Sequence, residues 1–291
     1  MEPTSHPLKA AAFMFGAMIS FSLMAIAGRE LSSTLDTFEI MTYRSLIGVI
    51  IVLGVARWQG LLGKISRNRL GLHFFRNVLH FTGQNLWFYA LIYIPLSQLF
   101  AFEFTNPLWV ALLAPFFLGE KMTSTRLLAF LLGFIGILIV ARPQSSDISL
   151  ATAAAALCAL SFACTNILTK KLTRTESTIN ILFWLVSLQA LFGLIITLSD
   201  GSITVPAGVN LIWVALVGLC GLTAHYCITT ALTLAPVTVV APLDFLRLPL
   251  IAVVGWILYS EPLEIAVFFG AALVVAANWM NIRAEQRPRQ K

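Results

Sequence analysis

The stretch ALIYIPLSQLFAFEF, residues 90–104, has a counterpart 141 positions later in the stretch ALTLAPVTVVAPLDF, residues 231–245. Each stretch begins with Ala-Leu, has a proline four residues after that leucine, and ends with a carboxylate and a phenylalanine. The same offset aligns further positions without a gap: Ser20-Phe21 with Ser161-Phe162, Phe104 with Phe245, and Glu120 with Glu261. The sequence therefore predicts two copies of one unit, residues 8–148 and 149–289.

Both copies are strongly apolar. Hydrophobic residues make up 58% of the 291 residues and charged residues only 11%, with a mean hydropathy of +0.87, whereas an ordinary soluble domain has about 25% charged residues. A helix needs roughly 20 apolar residues to cross a hydrocarbon layer of about 30 Å. The sequence has ten such stretches: 9–28, 38–56, 71–93, 96–118, 124–141, 149–169, 178–199, 209–231, 237–259 and 262–282. We therefore predict an all-α membrane protein with ten transmembrane helices, five in each repeat.

An odd number of helices in each repeat determines how the two copies are oriented. The second copy enters the membrane from the side opposite to the first, so the sequence predicts two inverted five-helix repeats. This arrangement is typical of secondary carriers, whose substrate site lies near the bilayer midplane between the repeats.

The net charge of +6 is unevenly distributed along the chain. If the N-terminus is cytoplasmic, the outer ends of the spans hold only Arg29 and Arg142, and the other Lys and Arg residues outside the spans fall in inner loops and tails. This asymmetry follows the positive-inside rule. We therefore predict a multi-pass protein of the inner membrane with both termini cytoplasmic. No nucleic-acid partner is expected, since no basic face lies beside a soluble fold.

Several function classes lack their sequence signatures. The cysteines lie inside predicted spans without metal-ligand spacing, and the Gly-Lys-Ser/Thr of a phosphate-binding loop is absent. We therefore expect no metal, no cofactor and no ATP-driven pump. His80 and His225 have no Cys, His or acidic neighbours at ligand spacing, which disfavours an intramembrane enzyme. A non-transporting structural membrane subunit remains an alternative.

Charged residues inside two predicted spans are the sharpest local signal. A carboxylate or guanidinium at the centre of a span costs about 2.5–3.5 kcal/mol on insertion scales, so such groups usually face the bundle interior. Glu103 and Asn106 are three residues apart in the fourth span, and Asp244 and Arg247 are three apart in the ninth. Each pair is expected on one helix face. Prolines in both spans predict kinks, which are tolerated where protein or a cavity satisfies the freed carbonyls.

These polar pairs have two interpretations. In the structural one, Asp244 and Arg247 form an ion pair within one helix, and Glu103 is protonated or hydrogen-bonded to Asn106. In the functional one, at least one carboxylate lines an aqueous cavity and binds substrate or a coupling proton. Glu103 has no cation at its own repeat position and is therefore predicted to be the better proton carrier. Glu103 and Asp244 are the candidate proton-coupling residues.

Further candidates lie on other spans. Arg44 is about one turn into the second span, where snorkelling to the interface and binding of an anionic or carbonyl-bearing substrate both explain it. Polar and aromatic residues alternate from Gln84 to Tyr89, and His225 matches position 84. Such rings are typical of interfacial belts or of a cavity that stacks a flat heteroaromatic ligand. The candidate substrate-binding residues are Arg44, Gln84, Trp87, Tyr89, Phe100, Asn106, His225, Tyr226 and Arg247.

Nearly the whole chain resembles the EamA-type branch of the drug/metabolite transporter superfamily. The resemblance rests on the repeats, on the Ala-Leu and proline turn before the fourth and ninth spans, and on four short motifs: Tyr43-Arg44-Ser45-Leu46, Leu118-Gly119-Glu120-Lys121, Tyr259-Ser260-Glu261-Pro262 and the glycine-rich stretch 133–140. The tenth span departs from the family pattern, with Ala271, Ala272 and Ala277 in place of glycines. Small residues there still allow close helix packing.

The resemblance implies proton- or exchange-linked movement of a small organic solute by alternating access. Gln84 to Tyr89, together with His225-Tyr226, is similar to the riboflavin importers among these carriers, so riboflavin uptake is the leading hypothesis. S-adenosylmethionine uptake and amino-acid or metabolite export are the alternatives. The expected partners are the small-molecule substrate and membrane lipid, and a homodimer is left open.

Overall fold

The computed structural model describes residues 7–118, 123–141, 149–172, 175–199, 201, 203–234 and 247–286. Throughout these ranges the regular structure is helical, and no strand occurs in them. The α-helices are α1 Pro7–Leu31, α2 Thr37–Trp58, α3 Leu70–Tyr93, α4 Leu96–Glu103, α5 Asn106–Leu118, α6 Ser124–Ala141, α7 Leu150–Leu172, α8 Thr178–Ser199, α9 Val209–Leu234, α10 Arg247–Tyr259 and α11 Ile265–Gln286. A 3₁₀ turn, Leu62–Lys64, follows α2.

Helix boundaries repeat with the 141-residue offset seen in the sequence. The 22 residues of α2 begin and end 141 positions before those of α8. The same holds for the 13 residues of α5 and of α10. Each copy of the sequence unit therefore directs the same local structure.

In the described part of the chain, five helices are both long enough and apolar enough to cross a membrane: α1, α2, α7, α8 and α9. The all-helical prediction is confirmed for the described residues, and the spanning prediction is supported at these five helices. Helix α3 has 24 residues, but its buried polar side chains lower its hydropathy. The shorter apolar helices include α10 and most of α6 and α11.

The predicted fourth span is two helices rather than one. Helix α4 ends at Glu103 and α5 begins at Asn106, because Pro107 has no N–H for the carbonyl of Glu103 and its ring clashes with that carbonyl. The Leu108 N–H then bonds the Thr105 carbonyl at 2.9 Å, three residues back, and does not reach the Phe104 carbonyl.

Asn278 on α11 compensates for this break. Its Nδ2 donates to the Phe104 carbonyl oxygen at 2.7 Å, and its side chain is fully buried. A carbonyl released inside an apolar bundle is tolerated where protein supplies a donor. The break is therefore part of the native fold, and a side chain of the second repeat stabilises it.

Replacing Asn278 by Leu is expected to lower the free energy of unfolding by about 1–3 kcal/mol, since it leaves a buried carbonyl without this donor. Thermal unfolding in detergent micelles measures the effect. Asn210→Leu is the matched control, because it removes an exposed hydrogen bond to Thr34 Oγ1 and should change stability by no more than about 0.5 kcal/mol. Equal effects of the two variants would refute this account of the break.

The main helix contacts join one repeat to the other. Helix α1 packs on α9, and the symmetry-related pair is α7 on α3; α2 packs on α8, and α6 on α11. Helices α6 and α11 approach closely at two glycines: a Cβ on Gly136 would lie 2.7 Å from the Gly270 carbonyl oxygen. The bundle is therefore one core shared by both repeats, with a pseudo-two-fold relation between them.

Candidate functional site

A cavity of about 350 Å³ lies where the two repeats meet. Its aromatic walls come from Phe21, Trp87, Phe88, Phe104 and Phe162, its polar groups from Arg44, His80, Gln84, Glu103, Asn106, Thr165, Asn166, His225 and Arg247, and Met24, Pro107 and Ile228 complete it. This volume is typical of a small-molecule site, as is the combination of apolar walls and a few convergent polar groups.

The lining follows the repeat. Five pairs of residues separated by 141 positions contribute one member from each half: Phe21 and Phe162, Met24 and Thr165, Gln84 and His225, Trp87 and Ile228, Asn106 and Arg247. The cavity therefore lies on the pseudo-two-fold axis. Four of the five pairs combine different residue types, so the two walls are not equivalent.

Glu103 connects the two repeats across this cavity. Its Oε1 accepts a hydrogen bond from Arg247 Nη2 at 2.9 Å, and its Oε2 accepts one from Trp87 Nε1 at 2.8 Å. The Arg247 side chain is 3% exposed and that of Glu103 is 19% exposed. The result is a charge-assisted contact between the end of α4 and the start of α10, with its carboxylate still open to the cavity.

This contact corrects two sequence expectations. Glu103 was expected to have no cationic partner, because its repeat position carries no cation. In the structure Arg247 pairs with it from the other half. Asn106 does not bond Glu103 in the described structure; its Oδ1 accepts from Asn166 Nδ2 at 2.9 Å. The helix break between Glu103 and Asn106 explains the difference, since three-residue spacing places side chains on one face only within a continuous helix.

Aromatic rings surround the Arg247 guanidinium. Its central carbon lies 4.5 Å from the ring centroid of Phe21, 4.9 Å from that of Phe100 and 5.1 Å from that of Phe104. Such faces attract a cation, more strongly when water is excluded. They hold Arg247 in a buried position, with Glu103 beside it at the cavity.

The structure brings together seven of the residues selected from the sequence: Arg44, Gln84, Trp87, Glu103, Asn106, His225 and Arg247. Phe100 is fully buried against Arg247 and outside the lining. Tyr89 packs on Tyr93 with ring centroids 4.9 Å apart, and Tyr226 is 65% exposed beside Phe13. Neither tyrosine lines the cavity, and Asp244 lies outside the described residues.

Ten lining residues were missed as candidates from the sequence, among them Phe21, Phe162, His80 and Asn166. Phe21 and Phe162 belong to the pair that aligned the repeats, so symmetry was the signal for them. His80 precedes Gln84 by one helical turn and shares its face. No comparable signal marked Asn166, whose repeat equivalent is Ala25.

A second polar cluster lies at the C-terminal ends of α1, α3 and α10. Arg29 forms an ion pair with Glu261 and donates to the Leu91 and Ile94 carbonyls at 2.9 and 2.8 Å. Glu261 Oε2 in turn accepts from the Leu96 N–H at 2.8 Å. We call these five residues the end cluster; they tie α1 and the segment after α10 to the turn between α3 and α4.

Comparison with known proteins places this architecture in a family. The sequence model of the EamA-like transporter family matches residues 8–142 and again residues 149–283. A riboflavin transporter of Brucella anthropi is 35% identical over 76% of this chain and 79% of its own length. An S-adenosylmethionine uptake transporter of Rickettsia felis is 27% identical over 93% of this chain and 91% of its own length.

A solved crystal structure has the same fold. It superposes with a TM-score of 0.66 at 17% sequence identity, and covers 95% of this chain and 98% of that one. The two family matches, the apolar helices and the cavity between the repeats agree with one another. This chain is a multi-pass membrane protein for small-molecule transport, and it belongs to the EamA-like transporter family.

Proposed function

We propose that the protein imports riboflavin across the inner membrane by alternating access, with ten transmembrane helices in two inverted repeats and both termini cytoplasmic. The observation that carries this proposal is the aromatic cavity between the repeats. Trp87 and Phe162 offer ring faces or edges to a flat heteroaromatic solute, and Gln84, Asn106 and Asn166 offer amides to its polar groups. A relative of similar length is named as a riboflavin transporter.

The charge of the described lining residues favours riboflavin over S-adenosylmethionine. Among the described lining residues, Arg44 and Arg247 are cationic and Glu103 is the one carboxylate, already paired with Arg247. With the imidazoles counted as neutral, the described part of the lining carries one net positive charge. That charge disfavours a sulfonium cation and does not disfavour an uncharged, carbonyl-rich ring system. The relative named for S-adenosylmethionine uptake keeps that solute as the second candidate.

In the proposed mechanism, the repeats rock about the cavity and expose it to each side in turn. The end cluster is the closure at the outer side, because it holds the turn containing Pro95 against α1 and the segment after α10. Glu103, and Asp244 by repeat symmetry, are proposed as proton-coupling groups. Protonation of Glu103 would weaken its pairing with Arg247, which links proton uptake to the contact between the halves.

Uptake of radiolabelled riboflavin into proteoliposomes containing only this protein tests the proposal. Saturable entry that increases with an imposed proton gradient, and that excess S-adenosylmethionine does not inhibit, is the expected result. Inhibition by S-adenosylmethionine would favour the second candidate. Outward flux of another metabolite would indicate an exporter, and the absence of solute flux would indicate a structural subunit.

A further inference from the structure

Arg44 on α2 differs from the other buried or cavity-lining arginines in its partners. Among the described residues no carboxylate lies within ion-pair distance of it, and its recorded polar neighbour is the Met41 thioether at 4.0 Å. Arg247 has Glu103, and Arg76 donates to Thr169 Oγ1 at 3.1 Å and to Asn77. A guanidinium has five N–H donors and no acceptor. Arg44 therefore brings unused donors to the cavity wall.

The second repeat makes room for this guanidinium. A Cβ added to Gly221 on α9 would lie 2.8 Å from Arg44 Nε and 2.9 Å from its Nη2, so the guanidinium rests directly on the glycine backbone. Gly221 is the repeat equivalent of His80, and the repeat equivalent of Arg44 is Leu185. The first repeat has the imidazole of His80 at this position. The second repeat has Gly221, and the space beside this glycine is filled by Arg44 of the first repeat.

Two buried side chains that line the same cavity as Arg44 have polar atoms without a partner in the described structure. Gln84 Oε1 and His80 Nδ1 make no hydrogen bond there, although the residues are only 6% and 7% exposed and both line the cavity. The electrostatic neighbours of His80 are Arg76, His225 and Arg44, in decreasing order of effect. Buried polar atoms normally have a hydrogen-bond partner. We therefore expect a solute that enters the cavity to supply the partners of these two atoms.

The unused groups combine donors with an acceptor. Arg44 supplies N–H donors, Gln84 Oε1 is an acceptor, and neutral His80 is a donor or an acceptor according to its tautomer. A cyclic imide, in which one N–H lies between two carbonyls, presents the complementary set. A primary ammonium or a sulfonium does not, because neither can accept a hydrogen bond from Arg44.

We propose that Arg44, Gln84 and His80 form a subsite for the imide edge of a heteroaromatic substrate. This inference rests on the proposed function and assigns the orientation of its solute. The carbonyl oxygens accept from Arg44 and His80, the imide N–H donates to Gln84 Oε1, and the ring system extends toward Trp87. Gly221 is a positioning residue, since it sets where the guanidinium lies.

Binding to the purified protein in detergent micelles tests the subsite, with flavin fluorescence as the readout. The wild-type protein is expected to bind riboflavin about 10- to 100-fold more tightly than 3-methylriboflavin, whose imide N–H is replaced by a methyl group. In Gln84→Leu the two ligands should bind within a factor of about 3. Arg44→Met should weaken riboflavin binding by about 10- to 100-fold, and Arg44→Lys by less.

Arg283→Met is the control, since its guanidinium lies over the Trp279 ring outside the cavity lining and its loss should leave riboflavin affinity within a factor of about 3. Equal wild-type affinity for riboflavin and 3-methylriboflavin would overturn the subsite and leave the proposed function standing. That comparison needs no variant to fold. No riboflavin binding by folded wild-type protein would overturn the riboflavin assignment itself, and the subsite with it.

Discussion

Replacing Arg247 by Met is expected to lower the free energy of unfolding by about 3–5 kcal/mol, the usual cost of removing one partner from a buried ion pair. The Arg247 side chain is 3% exposed and pairs with Glu103 at 2.9 Å. Methionine fills much of the same volume between the phenylalanine rings, so the loss comes mainly from the carboxylate left without its cation. Thermal and denaturant unfolding in micelles measure it.

A double-mutant cycle separates the pair from its surroundings. The Arg247→Met, Glu103→Gln variant should be more stable than Arg247→Met alone, because it removes the uncompensated charge. Lys171→Met is the control: its ammonium lies over Phe117 at 5.9 Å, near the end of α7, and its loss should cost less than about 1 kcal/mol. Additive effects of the Arg247 and Glu103 substitutions would contradict the pairing.

Replacing Glu103 by Gln is expected to abolish the stimulation of uptake by a proton gradient. The glutamine keeps the shape and can still accept from Trp87 Nε1, but it carries no exchangeable charge. Among the described lining residues Glu103 is the one carboxylate, and its 19% exposure leaves it open to cavity water. Uptake into proteoliposomes with and without an inside-alkaline gradient measures the effect.

Counterflow distinguishes lost coupling from lost transport. With labelled solute outside and excess unlabelled solute inside, exchange by the Glu103→Gln protein should remain within about tenfold of wild type, because no net proton movement is required. Glu30→Gln is the matched control, since this exposed carboxylate accepts from the Tyr259 hydroxyl at 3.1 Å outside the cavity. Gradient stimulation that survives in Glu103→Gln would remove the coupling role.

The repeat offset predicted the helix bounds well because both copies use the same local signals. Asp36 illustrates this: it caps α2 by accepting from the Glu39 N–H, and Glu39 accepts from the Asp36 N–H in return. The matching helix α8 also begins 141 positions later, with Ser177 at the cap position. Helix propensity and capping depend on a few neighbouring residues, so both can be recognised in the sequence.

The cross-repeat contacts were much harder to predict. Glu103 and Arg247 are 144 residues apart, and their pairing depends on how α4 and α10 meet in the assembled bundle. Tyr226 shows a related limit: it follows His225 in the sequence, yet successive residues on a helix point about 100° apart, so only one of them faces the cavity. The sequence identified polar and aromatic residues as site candidates. The packing of the helices determines which of these residues contact one another.

Because the strongest helix contacts join one half to the other, neither half has a complete interior of its own. We therefore expect the inner faces of the first half to contact lipid until α7 to α11 have been synthesised. A chain cut between Ala141 and Leu150 should therefore yield two fragments that are each degraded alone and rescue each other when co-expressed. Assembly of the protein is then a docking reaction within one polypeptide, and its connecting segment sets the local concentration of the two parts.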